Sequence, residues 1–417
     1  MKTKNKILVI NAGSSSIKFQ LFSFITEAKK PVFTIICRGI VERIGIKDSN
    51  FSIEINNNGQ FIKKERTKAI VNHVAGAQII INALIEYEVI TSYDEINKIG
   101  HRMVHGGEKF VTSTIIDQKV IAGIEACVPL APLHNPPALK GLAAFQTLIP
   151  QAKHVAVFDT AFHATLPKEK YLYSVPYEWY QNYFVRRYGF HGISYRYILH
   201  KLTGILNKPA PAINAIVCHL GNGASICVIK DGKSFNTSMG LTPLDGLIMG
   251  TRSGIIDPAI PSYLCRVKPN TTIDSITNDL NKASGLLGIS QYSSDLRDII
   301  TAYNDDKHQH HKNSKLAIKM FVQRITSYIL QYANDLNNNI DALVFTAGIG
   351  ENSAFIRQLI IDEITILKLA LIAKNNNDKY EDYLQINTQQ SQIPIYKIKT
   401  NEEIMICQDT YNLLINC

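Results

Sequence analysis

Four apolar residues, Ile7-Leu8-Val9-Ile10, run into the polar stretch Asn11-Ala12-Gly13-Ser14-Ser15-Ser16-Ile17-Lys18, after which Phe19-Gln20-Leu21-Phe22 alternates apolar and polar. The pattern predicts a strand, a Gly/Ser turn and a second strand. The turn offers a small residue, three hydroxyls and a lysine, a donor set suited to the terminal phosphates of a nucleotide. It is not a Walker loop, because GxxxxGK[ST] must open a helix, whereas here the chain returns as a strand and the lysine comes only two residues after the serines. An ordinary polar hairpin turn fits the same residues equally well.

The pattern recurs half a chain later. Ala215-Ile216-Val217-Cys218 leads through His219-Leu220-Gly221-Asn222-Gly223-Ala224 into the strand-like Ser225-Ile226-Cys227-Val228-Ile229. Such a spacing predicts two similar domains, each opening on a hairpin, rather than a solenoid of short units. A third strand and Gly turn, Ala342-Leu343-Val344-Phe345 followed by Thr346 to Asn352, precedes a helical pattern over Ser353 to Ile360. Its glycines allow close approach to a flat ligand, and the helix start favours anions. Ala317-Ile318, Phe321-Val322, Ile325 and Ile329-Leu330 recur with helical spacing and predict a core-packing amphipathic helix. Residues 337–339, 375–377 and 305–311 read as exposed loops. Pro129, Pro132, Pro136 and Pro137 predict a rigid loop presenting Leu133 and His134.

At 417 residues the chain is long enough for two domains, and 46% hydrophobic with 19% charged residues is the balance of a folded globular protein. No apolar run approaches the length of a membrane span, and the start is too short for a signal peptide's apolar region, so a cytoplasmic protein with no membrane partner is expected. Seven cysteines without a CxxC pair argue for buried thiols rather than disulfides or zinc. The net charge of +9 is dispersed rather than interleaved with aromatics, so small anionic substrates suit it and a nucleic-acid partner is not expected.

Two arginines stand on Gly-flanked segments, Arg102 in His101-Arg102-Met103-Val104-His105-Gly106-Gly107 and Arg252 in Gly250-Thr251-Arg252-Ser253-Gly254. A permanently charged planar fork suits the oxygens of a transferring phosphoryl group. His191 lies between Gly189-Phe190 and Gly192, and Asp159 ends the apolar run Val157-Phe158. A turn histidine and a helix N-cap are the structural alternatives for these two.

Taken in order, these motifs resemble the acetokinase family almost end to end. The carriers are residues 11–18, 101–107, 132–137, 158–163, 188–192, 219–225, 237–247, 250–254, 348–352 and 400–403. The resemblance implies an α/β protein of two actin-like ATPase (ribonuclease H-like) domains facing a central cleft, here residues 1–160 with 400–417, and 161–399. It further implies reversible, Mg2+-dependent transfer of the ATP γ-phosphoryl group to acetate, with Mn2+ an alternative metal, and a homodimer. Carried over by position, Asn11 and Glu402 would organise the metal, Lys18 would meet the nucleotide phosphates and Arg102 would hold the carboxylate. Arg252 and His191 would stabilise the transition state, with Asp159 ordering Arg102 or a metal-bound water. His219, Leu220, Gly221, Asn222, Gly223, Asp295, Leu296, Arg297, Gly348, Ile349, Gly350, Glu351 and Asn352 would bind ATP or ADP. Val104, Leu133, His134, Phe190 and Pro243 would form the acid's pocket.

Two positions depart from the family pattern. Ile255 stands where an aspartate is common and Tyr195 where a histidine is frequent, and both are expected to affect local loop contacts, at the dimer surface, rather than catalytic positions. Propionate or butyrate kinase shares the machinery, since one methylene is worth only about 1–3 kcal/mol in an apolar pocket. An actin-like or Hsp70-like nucleotide-gated ATPase would share the Gly turns without needing Arg102, His191 and Arg252.

Overall fold

The computed structural model describes residues 6–25 and 31–415; the basic start at 1–5 and Cys417 lie outside the described residues. The chain divides into two compact units, one running to Phe162 and resuming at Asn401, the other spanning His163–Thr400.

The first unit is built on eight strands: β1 Lys6–Ala12, β2 Ser16–Ile25, β3 Val32–Glu42, β4 Asn50–Asn57, β5 Gln60–Thr67, β6 Lys98–Met103, β7 Thr114–Ile115 and β8 Lys153–Phe158. Their order is β5-β4-β3-β2-β1-β6-β8-β7. β1 to β5 form an antiparallel meander, whereas β1, β6 and β8 run parallel. Ile7 to Ile10 are all buried, as a central strand covered on both faces requires. β2 alternates instead, Ile17, Phe19 and Leu21 facing the core beneath the helix His73–Glu86 while Lys18 stays exposed. The edge strand β5 is exposed throughout and carries Lys63, Lys64, Glu65 and Arg66, charges that discourage pairing with another chain. The last helix, Glu402–Leu414, lies against β6 at Gly100, where a Cβ would come within 2.3 Å of Thr410 Oγ1.

The second unit repeats the plan with β9 Ala215–Leu220, β10 Ala224–Lys230, β11 Lys233–Thr237, β12 Ala342–Thr346, β13 Tyr383–Gln385 and β14 Ile395–Ile398, ordered β11-β10-β9-β12-β14-β13. Again a hairpin strand, β9, is followed across the sheet by two parallel strands, pairing with β12, which pairs in turn with β14. The sequence echo of Gly13 at Gly221 is therefore an echo of topology. The helix His311–Asp335 buries Ala317, Ile318, Phe321, Val322, Ile325 and Ile329, the spacing expected of core packing.

Several expectations need correction. Residues 375–377 are not an exposed loop: they end the short helix Ala373–Asn377, and Asn376 is buried with its Oδ1 accepting from Arg357 Nε at 2.7 Å. The Gly turn after β12 is itself helical over Ala347–Asn352. The proline-rich loop is shorter than read, because Pro136 and Pro137 occupy the first turn of the helix Asn135–Leu148, where a missing N–H costs nothing. Among the described cysteines five are buried, Cys265 is half-buried and all are free thiols. No helix among the described residues is long and apolar enough to cross a membrane.

Candidate active site

The parallel strands β1, β6 and β8 are paired in register, Ile10 with His101 and Arg102 with Val157, so their C-terminal ends share one edge of the sheet. That edge is where open α/β sheets bind ligands. Asn11, Arg102 and Asp159 all stand there. Arg102 donates from Nε to Asp159 Oδ1 at 3.2 Å, from Nη2 to Asp159 Oδ2, and from Nη1 to Asn11 Oδ1 at 3.2 Å. Glu402, at the first position of the last helix, brings Oε2 to 3.7 Å from Arg102 Nε. Burial opposes the charge on Arg102, but Asp159 and Glu402 more than offset it and hold its pKa above the ordinary arginine value. Burial likewise pushes Glu402 up to about 7, with Arg102 opposing and the charge of Asp159 adding to the rise.

Lys18 is the cross-strand partner of Asn11, so both side chains leave the same face of the hairpin. The turn between them closes through Gly13 N–H to Ser16 O at 2.8 Å, and His73 Nε2 lies 2.7 Å from Gly13 O. Asn11, Asp159 and Glu402 present hard oxygen donors. One amide and two carboxylates suit Mg2+, which keeps several waters and completes its shell with substrate phosphates rather than an all-protein cage. The donor set therefore fits the metal implied by the resemblance.

In the second unit His191 caps the helix Gly192–Ile205 in a left-handed conformation, φ 58°. It stacks on His219 with ring centres 4.1 Å apart. A Cβ at Gly223 would lie 3.6 Å from Arg252 Nη1 and 3.7 Å from His191 Nε2, so the hairpin turn, the guanidinium and the imidazole converge at one point. Arg252 donates only to Pro243 O, at 3.3 Å, and to Met249 Sδ, and no carboxylate among the described residues pairs with it. Burial accordingly lowers its pKa from the usual arginine value. A half-buried cation with no carboxylate partner among the described residues is poised for an anionic ligand.

Next to this point is a cleft of about 820 Å³ lined by Gly221, Asn222, Asp295, Leu296, Arg297, Gly348, Ile349 and Asn352, with Ser294, Ile300 and Ser353 completing it. The remaining nucleotide candidates do not line it. Leu220 and Gly350 are buried, and Glu351 points inward, its Oε1 accepting from Ala347 N–H at 2.9 Å and Thr400 N–H at 3.0 Å. Ala347 has φ 64°, a left-handed strain that the carboxylate of Glu351 holds in place. Lys18 belongs to the other unit, as do Val104, Leu133 and His134, whereas Phe190 and Pro243 belong to this one. Val104 and Phe190 are buried and Leu133 is exposed.

The acetokinase family profile matches residues 6–408. The chain belongs to the acetokinase family. It is therefore a kinase. The acetate kinase of Mycoplasma mycoides subsp. mycoides is 50% identical over 408 residues, covering 98% of this chain and all of the relative. Among solved structures, the Porphyromonas gingivalis acetate kinase superposes with a TM-score of 0.87 at 38% identity, covering 98% of this chain and 100% of that one. A propionate kinase from Francisella tularensis subsp. tularensis gives 0.86 at 39% identity, covering 98% and 99%. Family membership sets aside the nucleotide-gated ATPase alternative.

Within the acetokinase frame, one departure lies elsewhere than expected. Ile255 is a half-exposed loop residue, but Tyr195 is fully buried, with its hydroxyl on Ser225 Oγ, which in turn meets His191 Nδ1 at 2.8 Å. Sequence reading gave Ser225, Ser194 and Thr400 no roles of their own. Ser194 Oγ holds His219 Nδ1 at 2.9 Å and Thr400 Oγ1 at 2.7 Å. Nothing in the spacing of these hydroxyls distinguishes them from ordinary strand and helix residues.

Proposed function

We propose that this kinase transfers the γ-phosphoryl group of ATP to acetate, reversibly and with Mg2+ (Mn2+ as substitute), giving acetyl phosphate and ADP by direct in-line displacement. The observation that carries the reading is the hydrogen-bond state of Arg102. A guanidinium has five N–H groups. Asp159 and Asn11 take three of them, one each from Nε, Nη1 and Nη2, leaving one on each terminal nitrogen. Those N–H groups are the donors that Arg102 can still offer to a substrate carboxylate.

Acetate has an acidity near that of glutamate, about 4.3, so at neutral pH it arrives as a carboxylate with no proton to remove. Asp159 therefore serves as the lock on Arg102 rather than as a base. Val104, Leu133, His134, Phe190 and Pro243 are the residues we assign to the acid's methyl end, on the strength of the family resemblance alone. Arg252 and the Nε2 edge of His191 stabilise the transferring group, whose negative charge is spread over its oxygens. The cleft between Asn222, Arg297 and Gly348 takes the nucleotide, helped by His219, Gly221, Gly223, Asp295, Leu296, Ile349 and Asn352, while Lys18 reaches its phosphates. Asn11 and Glu402 would hold Mg2+ through oxygens or its waters, where it would supply charge neutralisation at the phosphates. The protein acts in the cytoplasm as a homodimer, a state that light scattering on the purified chain tests.

The test of the reaction is hydroxamate trapping of acyl phosphate with acetate, propionate and butyrate in parallel. Acetyl hydroxamate formed fastest supports the reading. A higher kcat/KM with propionate would replace acetate as the substrate, and no acyl phosphate from any acid would overturn the reaction class.

A further inference from the structure

His191 is the end of a buried chain of hydroxyls. Tyr195 Oη lies 2.5 Å from Ser225 Oγ, and Ser225 Oγ lies 2.8 Å from His191 Nδ1. Tyr195 and Ser225 are both fully excluded from solvent. Tyr195 stands one turn along the helix that His191 opens, its N–H donating to the His191 carbonyl at 3.0 Å. Ser225 comes from the neighbouring strand β10, so the chain ties helix and sheet together behind the imidazole. The stacked ring of His219 has its own hydroxyl, Ser194, at Nδ1.

We infer that Tyr195 is a positioning residue that sets the tautomer of His191. Each hydroxyl has one proton to give. A phenol is more acidic than an alkyl hydroxyl and its oxygen accepts less well, so the favoured direction is Tyr195 donating to Ser225. The Ser225 proton then points at Nδ1, and a neutral imidazole must carry its own proton on Nε2. Nε2 is the nitrogen that faces the space beside Gly223 and Arg252. A phosphoryl group there would meet an N–H donor, whereas the other tautomer would turn a lone pair toward its oxygens. The left-handed backbone at His191 puts the ring on this chain, and the hydroxyl pair holds it there. The inference rests on the proposed placement of His191 beside the transferring group.

The experiment is 15N NMR of the full chain labelled at histidine, with the His191 ring signals assigned by their loss in His191→Gln. The expected result is Nε2 protonated and Nδ1 accepting. Tyr195→Phe keeps the ring and removes only the hydroxyl. It should convert the His191 signals to a mixture of tautomers and lower kcat roughly 2- to 10-fold, the worth of one hydrogen bond, with the KM values of acid and nucleotide unchanged. Ser225→Ala should act in the same direction. A His191 ring protonated at Nδ1 in the parent protein overturns the inference, a result that needs no variant to fold. So does a Tyr195→Phe spectrum identical to the parent's, or a change confined to melting temperature and KM. Full turnover in His191→Gln would instead overturn the placement of His191, leaving the tautomer spectrum to decide the chain of hydroxyls.

Discussion

Replacing Asp159 with asparagine keeps the shape of the side chain and removes its charge and one of its two acceptors. Arg102 donates to both carboxylate oxygens, so the amide NH2 of an asparagine would face a guanidinium N–H and one arm of the fork would be lost outright. A hydrogen bond to a charged group is worth about 1.5–3 kcal/mol, which at 1.4 kcal/mol per decade is roughly 10- to 100-fold. Arg102 would keep Asn11 at 3.2 Å and Glu402 at 3.7 Å, so it would stay at the sheet edge but lose its orientation. The cost should therefore fall on the acid. Initial rates at saturating MgATP with varied acetate should show kcat/KM for acetate down roughly 10- to 100-fold, with the KM for nucleotide little changed. Circular dichroism checks that the fold survives, and a Mg2+ titration runs alongside. A kcat/KM for acetate within about threefold of the parent would refute the lock on Arg102. A displaced Mg2+ optimum without a change in the acid's kcat/KM would move Asp159 to the metal's waters.

Arg252→Ala should lower turnover on the order of 10³-fold with nucleotide affinity unchanged, by the scale of arginine fingers; isothermal titration with ADP checks the affinity, and its loss would make the residue structural. In Gly223→Ala the added methyl would meet Arg252 and His191 at ordinary contact distance, 3.6 and 3.7 Å, so melting temperature should hold while kcat falls because the methyl occupies the point where those groups converge. Stability should fall as pH drops from about 6.5 toward 4. Burial holds His105, His154 and His163 near 4 and His101 well below its usual value. In that window the unfolded chain binds protons that the folded chain refuses, so ∂ΔG/∂pH is positive, and the loss levels off once the folded histidines also protonate. Urea unfolding at pH 7 and pH 5 should show a smaller pH slope in His101→Gln/His154→Gln, which removes the buried pair whose ring nitrogens meet at 2.9 Å.

The sheet architecture was legible because strand burial leaves a local trace. Ile7 to Ile10 and Ala342 to Phe345 read as continuous apolar runs, and such runs belong to central strands covered on both faces. Glycines marked the turns for a similar reason: a Cβ at Gly250 would fall 1.8 Å from Asn222 Oδ1, and that need for space is met by one residue type. Asn376 was misread because its polarity looks the same whether solvent or a buried guanidinium satisfies it. Motif position likewise does not say which way the carboxylate of Glu351 turns, and in the fold it accepts from the Ala347 and Thr400 N–H groups.

The order of apolar and polar residues alone pointed to two hairpin-led halves and the long core helix, since each depends on neighbours close along the chain, while the resemblance of the motifs to the acetokinase family supplied the α/β fold and the phosphoryl-transfer reading. The tertiary structure decided what sits beside what. Asn11, Arg102, Asp159 and Glu402 are scattered from one end of the sequence to the other, and only parallel register at the ends of β1, β6 and β8, with the last helix returning to that sheet, brings them into one hydrogen-bonded group. The hydroxyl chain from Tyr195 through Ser225 to His191 is of the same kind. A hydrogen bond acts over about 3 Å of space and is indifferent to separation along the chain, so no local pattern could have announced it.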